Sequence, residues 1–140
     1  MKYPILLITV GLLLTCGQKK EYDIHLAQTS DFKTSISRGK TIYNNLCVTC
    51  HLPNGKGVPG AFPPLAGSDY LRDNQDLSIK NIKYGMSGPI TVNGKSYNNV
   101  MANMGLKDQE IADVMNFINQ SWGNNYGEQI SIEKVSKITP

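Results

Sequence analysis

The chain has 140 residues, with 14 basic and 11 acidic side chains, a formal net charge of +3 and three cysteines. This length suits one small domain. The nearly balanced charge lacks the basic footprint that a nucleic-acid partner needs, so we expect none. The charge balance does not identify a protein partner.

Residues 1–15 are predicted to be an export signal. Lys2 supplies the positive start, and the apolar run from Pro4 to Leu14 is shorter than the roughly 20 residues of a membrane-spanning helix. Leu13-Leu14-Thr15-Cys16-Gly17 then resembles a bacterial lipobox, which implies that Cys16 is acylated after cleavage. Thr15 departs from the usual small residue, and ordinary signal cleavage is the alternative. Lipidation predicts a protein of the cell envelope that faces the periplasm and is anchored in a membrane without spanning it.

Residues 16–34 are polar and of mixed charge, and they show no sustained apolar period. We interpret them as a lipidated N-terminus followed by a flexible tether. His25 lies in this stretch and is interpreted as a solvated linker residue rather than a metal ligand. Removing Lys2 with the leader leaves 13 basic and 11 acidic side chains, a net charge of +2.

A first helix is predicted from about Ser35 or Ser37, either of which can cap it. Ile36, Tyr43 and Leu46, with Ile42 beside them, have the spacing of one apolar helix face. Gly39 lies one turn before Tyr43, and glycine inside a helix costs roughly 1 kcal/mol relative to alanine. Close approach of another helix is one reason to accept that cost, and a frayed first turn is the other.

The helix leads into Cys47-Val48-Thr49-Cys50-His51. The spacing C-x-x-C-H is the attachment signature of a c-type haem, in which two thiols one helical turn apart form thioethers to the porphyrin and the histidine binds iron. We therefore predict one covalent haem c. A C-x-x-C pair can instead be a redox dithiol or half of a zinc site. A redox dithiol is expected in a βαβ setting, which the flanking residues do not suggest. A zinc site needs four ligands, and the only other histidine, His25, lies far upstream.

The pattern Gly39-x-x-x-Tyr43-x-x-x-Cys47-x-x-Cys50-His51 resembles the opening of a class I cytochrome c, and the resemblance extends from about Ser35 to Asn124. It is closest to small single-haem modules that serve bacterial respiratory or dehydrogenase complexes. It implies an all-α cytochrome c fold of three to five helices around the haem over residues 35–124. It also implies that Phe117, on the last helix, meets Gly39 and Tyr43.

The segment from Leu52 to Gly67 is rich in glycine and proline and is predicted to be irregular. The resemblance implies that the Pro63 carbonyl accepts from the second ring nitrogen of His51 and that Leu65 packs on the porphyrin. A short helical turn is predicted over Ser68 to Arg72 and a longer helix over Asp76 to Tyr84. Alternation around Asn93-Gly94 predicts a small β-hairpin from Ile90 to Tyr97.

An electron-carrying haem usually has histidine and methionine as axial ligands. The resembled pattern Tyr-Asn-x-x-Met-Pro matches Tyr97-Asn98-Asn99-Val100-Met101, which implies Met101 as the sixth ligand and Tyr97 as a haem contact. Ala102 replaces the usual proline, so Met104 stays open as the alternative ligand. Met86 precedes the hairpin and Met115 lies in a predicted helix, and neither is predicted to be the sixth ligand.

The last long helix is predicted from about Asp108 to Ser121, with Ile111, Val114, Met115 and Ile118 on one face. Lys107 stands where the family has a capping serine, so Asp108 is predicted to cap instead. Residues 125–140 form a weakly apolar tail that is either a clasp on the domain or disordered.

These residues predict single-electron transfer by a haem with His51 and Met101 as iron ligands, and no catalytic residues. The expected partner is a reductase, oxidase or dehydrogenase in the cell envelope. A haem enzyme such as a peroxidase, or a haem sensor, is the alternative, because either would keep an open iron site.

Overall fold

The computed structural model describes the backbone of residues 15–140 and the side chains of residues 31–140. The predicted leader therefore lies almost wholly outside the described residues, and of Cys16 only the backbone is described. Phe32–Pro140 form one compact unit. Within residues 15–140, no helix is both long enough and apolar enough to cross a membrane.

The described chain is mostly helical, with one two-stranded antiparallel sheet, as predicted. Its elements are α1 Thr15–Leu46, α2 Val48–His51, α3 Asp69–Asp73, α4 Gln75–Tyr84, β1 Ile90–Val92, β2 Lys95–Tyr97, α5 Asp108–Asn119 and α6 Ile132–Ser136. The described residues thus contain six helices rather than three to five. The additional helices are short: α2 has four residues and α6 has five.

The predicted start of the first helix is wrong, because α1 already includes residues 15–34. Between Gln18 and Arg38 the sequence contains neither proline nor glycine, so no residue there interrupts a helix. Ser35 is buried within α1 and donates its hydroxyl to Asp113 instead of capping. The function of residues 16–34 as a tether stays a prediction.

Helices α1 and α5 cross at Gly39, as the resemblance implied. A Cβ atom at Gly39 would collide with the Asp113 carbonyl oxygen and lie 2.9 Å from the Phe117 Cβ. One turn later, the Tyr43 ring lies 5.3 Å from that of Phe117 and 5.1 Å from that of Trp122, between ring centroids. The glycine therefore permits a close helix contact that the three aromatic rings extend.

The crossing also contains a buried carboxylate. Asp113 is 1% exposed. It accepts from the Ser35 hydroxyl at 2.6 Å, from Arg38 Nε at 2.6 Å and Nη2 at 2.7 Å, and from Gln109 at 2.9 Å. A buried charge is tolerated when it is paired and hydrogen-bonded in this way. The bonds from Ser35 and Arg38 join residues 78 and 75 positions apart in the sequence.

The elements between the two crossing helices follow the predictions closely. Ser68 caps α3 by accepting from the Leu71 amide, and α4 begins one residue before the predicted Asp76. The hairpin pairs Ile90 with Tyr97 and Val92 with Lys95 around the Asn93-Gly94 turn. In the chain, α4 and this hairpin come just before the segment that contains the predicted sixth ligand.

The predicted cap of α5 is wrong, although its first residue is right. Lys107 is the N-cap residue, and its amide donates to the Glu110 carboxylate at 2.8 Å. Asp108 is the first helical residue, and it pairs with Lys83 at 3.0 Å instead. The Glu110 carboxylate thus accepts from the N-cap amide, as the third helical residue does in a capping box.

The C-terminal tail is packed on the domain, which decides between the two alternatives left by the sequence. Ile130 and Val135 are 4% and 0% exposed and belong to the core around α5. Lys83 and Tyr84 of α4 donate to the carbonyl oxygens of Val135 and Ile138 at 2.9 Å each. The tail therefore links α4 and α5.

Replacing Asn116 with leucine is expected to destabilise the domain by about 3 kcal/mol. The Asn116 side chain accepts from the Ile130 amide at 2.7 Å and donates to the Ile130 carbonyl at 3.0 Å, and all three groups are buried. Leucine keeps the branched heavy-atom skeleton of asparagine but leaves both backbone groups unpaired, at roughly 1–3 kcal/mol each. Denaturant unfolding followed by circular dichroism measures the change. Asn125→Leu, at an exposed position, is the control and should shift stability by less than about 0.5 kcal/mol.

Candidate cofactor site

The two cysteines and His51 form a single helical turn at the end of α1. The Cys47 amide donates to the Tyr43 carbonyl at 2.9 Å, and the His51 amide donates to the Cys47 carbonyl at 3.0 Å. Both thiols are free and partly buried. Cys47, Cys50 and His51 line the same cavity of about 250 Å³.

His51 is oriented by the carbonyl oxygen of Pro63, which lies 3.0 Å from its Nδ1. This contact is the one that the resemblance implied. To donate there, the ring must carry its proton on Nδ1, which leaves the Nε2 lone pair available for a metal. Burial lowers the pKa of His51 and the Pro63 hydrogen bond partly offsets it, so the imidazole is neutral at neutral pH. A neutral imidazole is the form that binds iron.

Gly57 allows Pro63 to approach, a role that sequence reasoning missed. Its φ is +59°, and a Cβ there would collide with the carbonyl oxygens of Phe62 and Pro63. Its amide donates to the His51 carbonyl at 3.0 Å. The run of glycines and prolines suggested only an irregular loop, and nothing in it distinguished this glycine from its neighbours.

The turn after His51 is held by Tyr43. Leu52 has a positive φ of 63°, uncommon for a residue with a side chain. The Tyr43 hydroxyl donates to the Leu52 carbonyl at 2.7 Å. Burial raises the pKa of Tyr43 far above its usual value, so the hydroxyl stays protonated and remains a donor.

Met101 also lines the site, from a segment that follows the hairpin in the chain. Met86 and Met101 form an isolated antiparallel bridge, with amide-to-carbonyl distances of 2.8 and 2.9 Å. Both methionines line the cavity that the cysteines line, and both also line an adjoining cavity of about 80 Å³. His51 and Pro63 line both cavities too. Met104 lines only the larger one and is 38% exposed.

The two cavities are bounded mainly by apolar side chains. Leu65 and Tyr97, the other predicted haem contacts, line the smaller and the larger cavity respectively. Further apolar lining of the smaller cavity comes from Leu71, Ile82, Ile90, Val92, Met115 and Ile118. The two cavities share part of their lining, and we refer to them together as the slot. Every predicted site residue whose side chain is described lines this slot. Cys16 is the one predicted site residue whose side chain is not described.

These residues fit a c-type haem. Two free thiols stand one turn apart at the slot, beside an imidazole whose Nε2 is available, and a thioether lines the same slot. The surrounding apolar side chains suit a porphyrin. The dithiol alternative fits less well, because burial, with the nearby Cys50, raises the pKa of the Cys47 thiol to about 11. A redox-active dithiol needs a lowered pKa so that the thiolate forms.

Three exposed apolar side chains line the larger cavity, and we refer to them as its rim. Leu46, Val100 and Met104 are 42%, 73% and 38% exposed, and all three line it. None of the residues that line this cavity carries a formal charge at neutral pH. Leu46 was predicted to face inward with Tyr43, but the helix ends there and the side chain lies at the cavity mouth instead.

The helical fold and this slot define a carrier of one covalently attached haem. The cytochrome c family matches residues 36–122. That match covers more than half of the chain, which therefore belongs to the cytochrome c family and binds haem c as an electron carrier.

Similar proteins include cytochrome c-552 of Thermus thermophilus, which is 39% identical over 116 residues, covering 73% of this chain and 88% of the relative. The cytochrome c subunit of alcohol dehydrogenase (quinone) from Gluconobacter oxydans is 35% identical over 105 residues. That match covers 71% of this chain but only 21% of the subunit. A corresponding subunit of Gluconacetobacter polyoxogenes is 32% identical.

Proposed function

We propose that this protein is a lipid-anchored electron carrier of the cell envelope whose haem iron is ligated by His51 and Met101. The bound haem supplies a one-electron couple between ferric and ferrous iron. The observation that carries the proposal is that His51 and Met101 line the same slot while both cysteines stand beside it. Protein residues make and break no bonds in this function: they hold the cofactor, fix its ligands and exclude water.

Each ligand has a defined role. The Pro63 carbonyl fixes the His51 ring and increases its basicity as a ligand. The Met101 thioether is a soft ligand that favours ferrous iron and therefore raises the reduction potential. Apolar side chains around the slot disfavour the extra charge of ferric iron and act in the same direction. With both His51 and Met101 bound, the iron would have no open position for a substrate, unlike in the haem enzyme alternative.

The partner is proposed to be a respiratory or dehydrogenase complex in the same envelope. Two similar proteins are named as cytochrome c subunits of a quinone-dependent alcohol dehydrogenase, which supports a dehydrogenase. The membrane attachment rests on the lipobox-like sequence at Cys16, and it places the protein on the periplasmic side. Mass spectrometry of the mature N-terminus would identify a diacylated Cys16, and an unmodified or absent Cys16 would contradict the anchor.

The visible spectrum of the holoprotein tests the ligation. Protein made in a host that attaches haem c should show a c-type reduced spectrum. Its ferric form should show the weak red charge-transfer band of methionine-ligated iron. A c-type spectrum without that band would contradict Met101 as a ligand and favour an open iron site. Absence of covalent haem would contradict the proposal as a whole.

We propose the apolar rim of Leu46, Val100 and Met104 as the docking surface, because these exposed side chains line the cavity that both cysteines line. Contacts between redox partners are small and short-lived, and an uncharged patch gives them little electrostatic steering. Association through this rim should therefore depend weakly on ionic strength. Electron self-exchange between oxidised and reduced copies reports on this without a known partner.

Replacing Val100 with lysine is expected to slow self-exchange about fivefold at low salt and to make it salt-dependent. In an encounter of two rims the new ammonium groups face each other, and two like charges about 4 Å apart in water repel by about 1 kcal/mol. Nuclear magnetic resonance line broadening measures the rate. The control, Asn125→Lys, adds the same charge at a position that lines neither cavity. Equal slowing by both variants would contradict docking at the rim.

A further inference from the structure

Met86 is placed opposite Met101 by the register of the hairpin. In β1 and β2, Ile90 pairs with Tyr97. Four residues farther out on each arm, Met86 pairs with Met101. The two amides and two carbonyls exchange both hydrogen bonds, at 2.8 and 2.9 Å. The hairpin register therefore resumes at the methionines.

Directly opposed residues of an antiparallel pair direct their side chains to the same face. In a pair that exchanges both hydrogen bonds, the Cα atoms are about 5.5 Å apart. Met86 and Met101 accordingly line the same two cavities, in agreement with this geometry. Of the other described methionines, Met104 lines only the larger cavity and Met115 only the smaller one.

The position of Met86 does not depend on the side chain of Met101. Both hydrogen bonds between them join backbone atoms. The preceding Gly85, at φ +79°, approaches the second arm so closely that a Cβ there would lie 2.8 Å from the Met101 carbonyl oxygen and 3.0 Å from the Asn103 amide. Removing the Met101 side chain thus leaves Met86 in place beside the vacated space.

We propose that Met86 is a reserve axial ligand, whose thioether occupies the sixth position of the haem iron when that of Met101 is absent. This rests on the proposed ligation by His51 and Met101. Methionine has three rotatable side-chain bonds and a soft sulfur, so it can extend into space that a neighbour leaves. A second thioether on the same face keeps the iron six-coordinate and closed to added ligands.

The test compares ferric spectra of the holoprotein and its variants. Met101→Ala should stay low-spin and keep the red methionine charge-transfer band, because Met86 binds. Met101→Ala combined with Met86→Leu should lose the band, become high-spin and bind added imidazole at least about tenfold more tightly. Met101→Ala combined with Met104→Leu is the matched control and should keep the band.

Loss of the band in Met101→Ala alone overturns the proposal, and loss only in the combination with Met104→Leu transfers the role to Met104. Failure of the proposed function gives different results: the unmodified protein lacks the band, or Met86→Leu alone removes it while Met101→Ala does not. Circular dichroism checks that each variant is folded. Met101→Ser provides a second background in which the same pair of double variants is compared.

Discussion

Replacing Gly39 with alanine is expected to destabilise the holoprotein by about 3 kcal/mol, although the same change inside an exposed helix stabilises it by about 1 kcal/mol. The sign reverses because the added methyl group would occupy the space of the Asp113 carbonyl oxygen. Helix backbones cannot yield locally as a flexible side chain can. The crossing must therefore widen, and overpacking of this kind costs roughly 1–3 kcal/mol.

Widening the crossing also weakens the contacts around it. The bonds from Ser35 and Arg38 to Asp113 are 2.6 Å long and join the same two helices. Denaturant unfolding of the holoprotein measures the loss, and Lys40→Ala at the exposed neighbouring position is the control. Equal or greater stability of Gly39→Ala would contradict the close contact.

Replacing both Cys47 and Cys50 with serine is expected to abolish covalent haem attachment completely. Serine hydroxyls form no thioether to the porphyrin, so acidic organic solvent should then extract all colour from the protein. His51 and Pro63 remain, so haem can still bind through iron. Its contribution to stability then follows free haem concentration, reaching about 2.7 kcal/mol at 100 times the dissociation constant.

Dilution distinguishes covalently attached haem from haem that is bound only through its iron. Unfolding of the unmodified holoprotein should not depend on concentration, because its haem cannot leave, whereas the double variant should lose stability when haem and protein are diluted together. Thr49→Ala, at the exposed position between the cysteines, should behave as the unmodified protein does. Colour that stays with the double variant after extraction would mean that attachment occurs elsewhere.

The sequence alone determined the features that depend on near neighbours in the chain. The spacing of Cys47, Cys50 and His51 follows from one helical turn, and the hairpin follows from Asn93-Gly94 and the alternation around it. The residues that α5 contributes to the core follow from its helical periodicity. The haem, the mostly helical fold and the hairpin could therefore be predicted from the sequence alone.

The sequence also contains a less obvious continuation of the hairpin. Extending the Ile90–Tyr97 register outward by four residues pairs Met86 with Met101. An interruption by Gly88-Pro89 conceals this continuation, since proline breaks the expected strand pattern. The sequence likewise conceals the helical backbone before Ser35, because polar residues without an apolar period are typical of a tether.

Only the tertiary structure decided the contacts between distant residues. Asp113 meets Ser35 and Arg38, Asn116 meets Ile130, and Gly57 admits the Pro63 carbonyl to His51. It also decided that Leu46 lies at the cavity mouth and that the C-terminal tail is packed. Local patterns are determined by backbone geometry over a few residues, whereas these contacts depend on which surfaces meet when the whole domain closes around the slot.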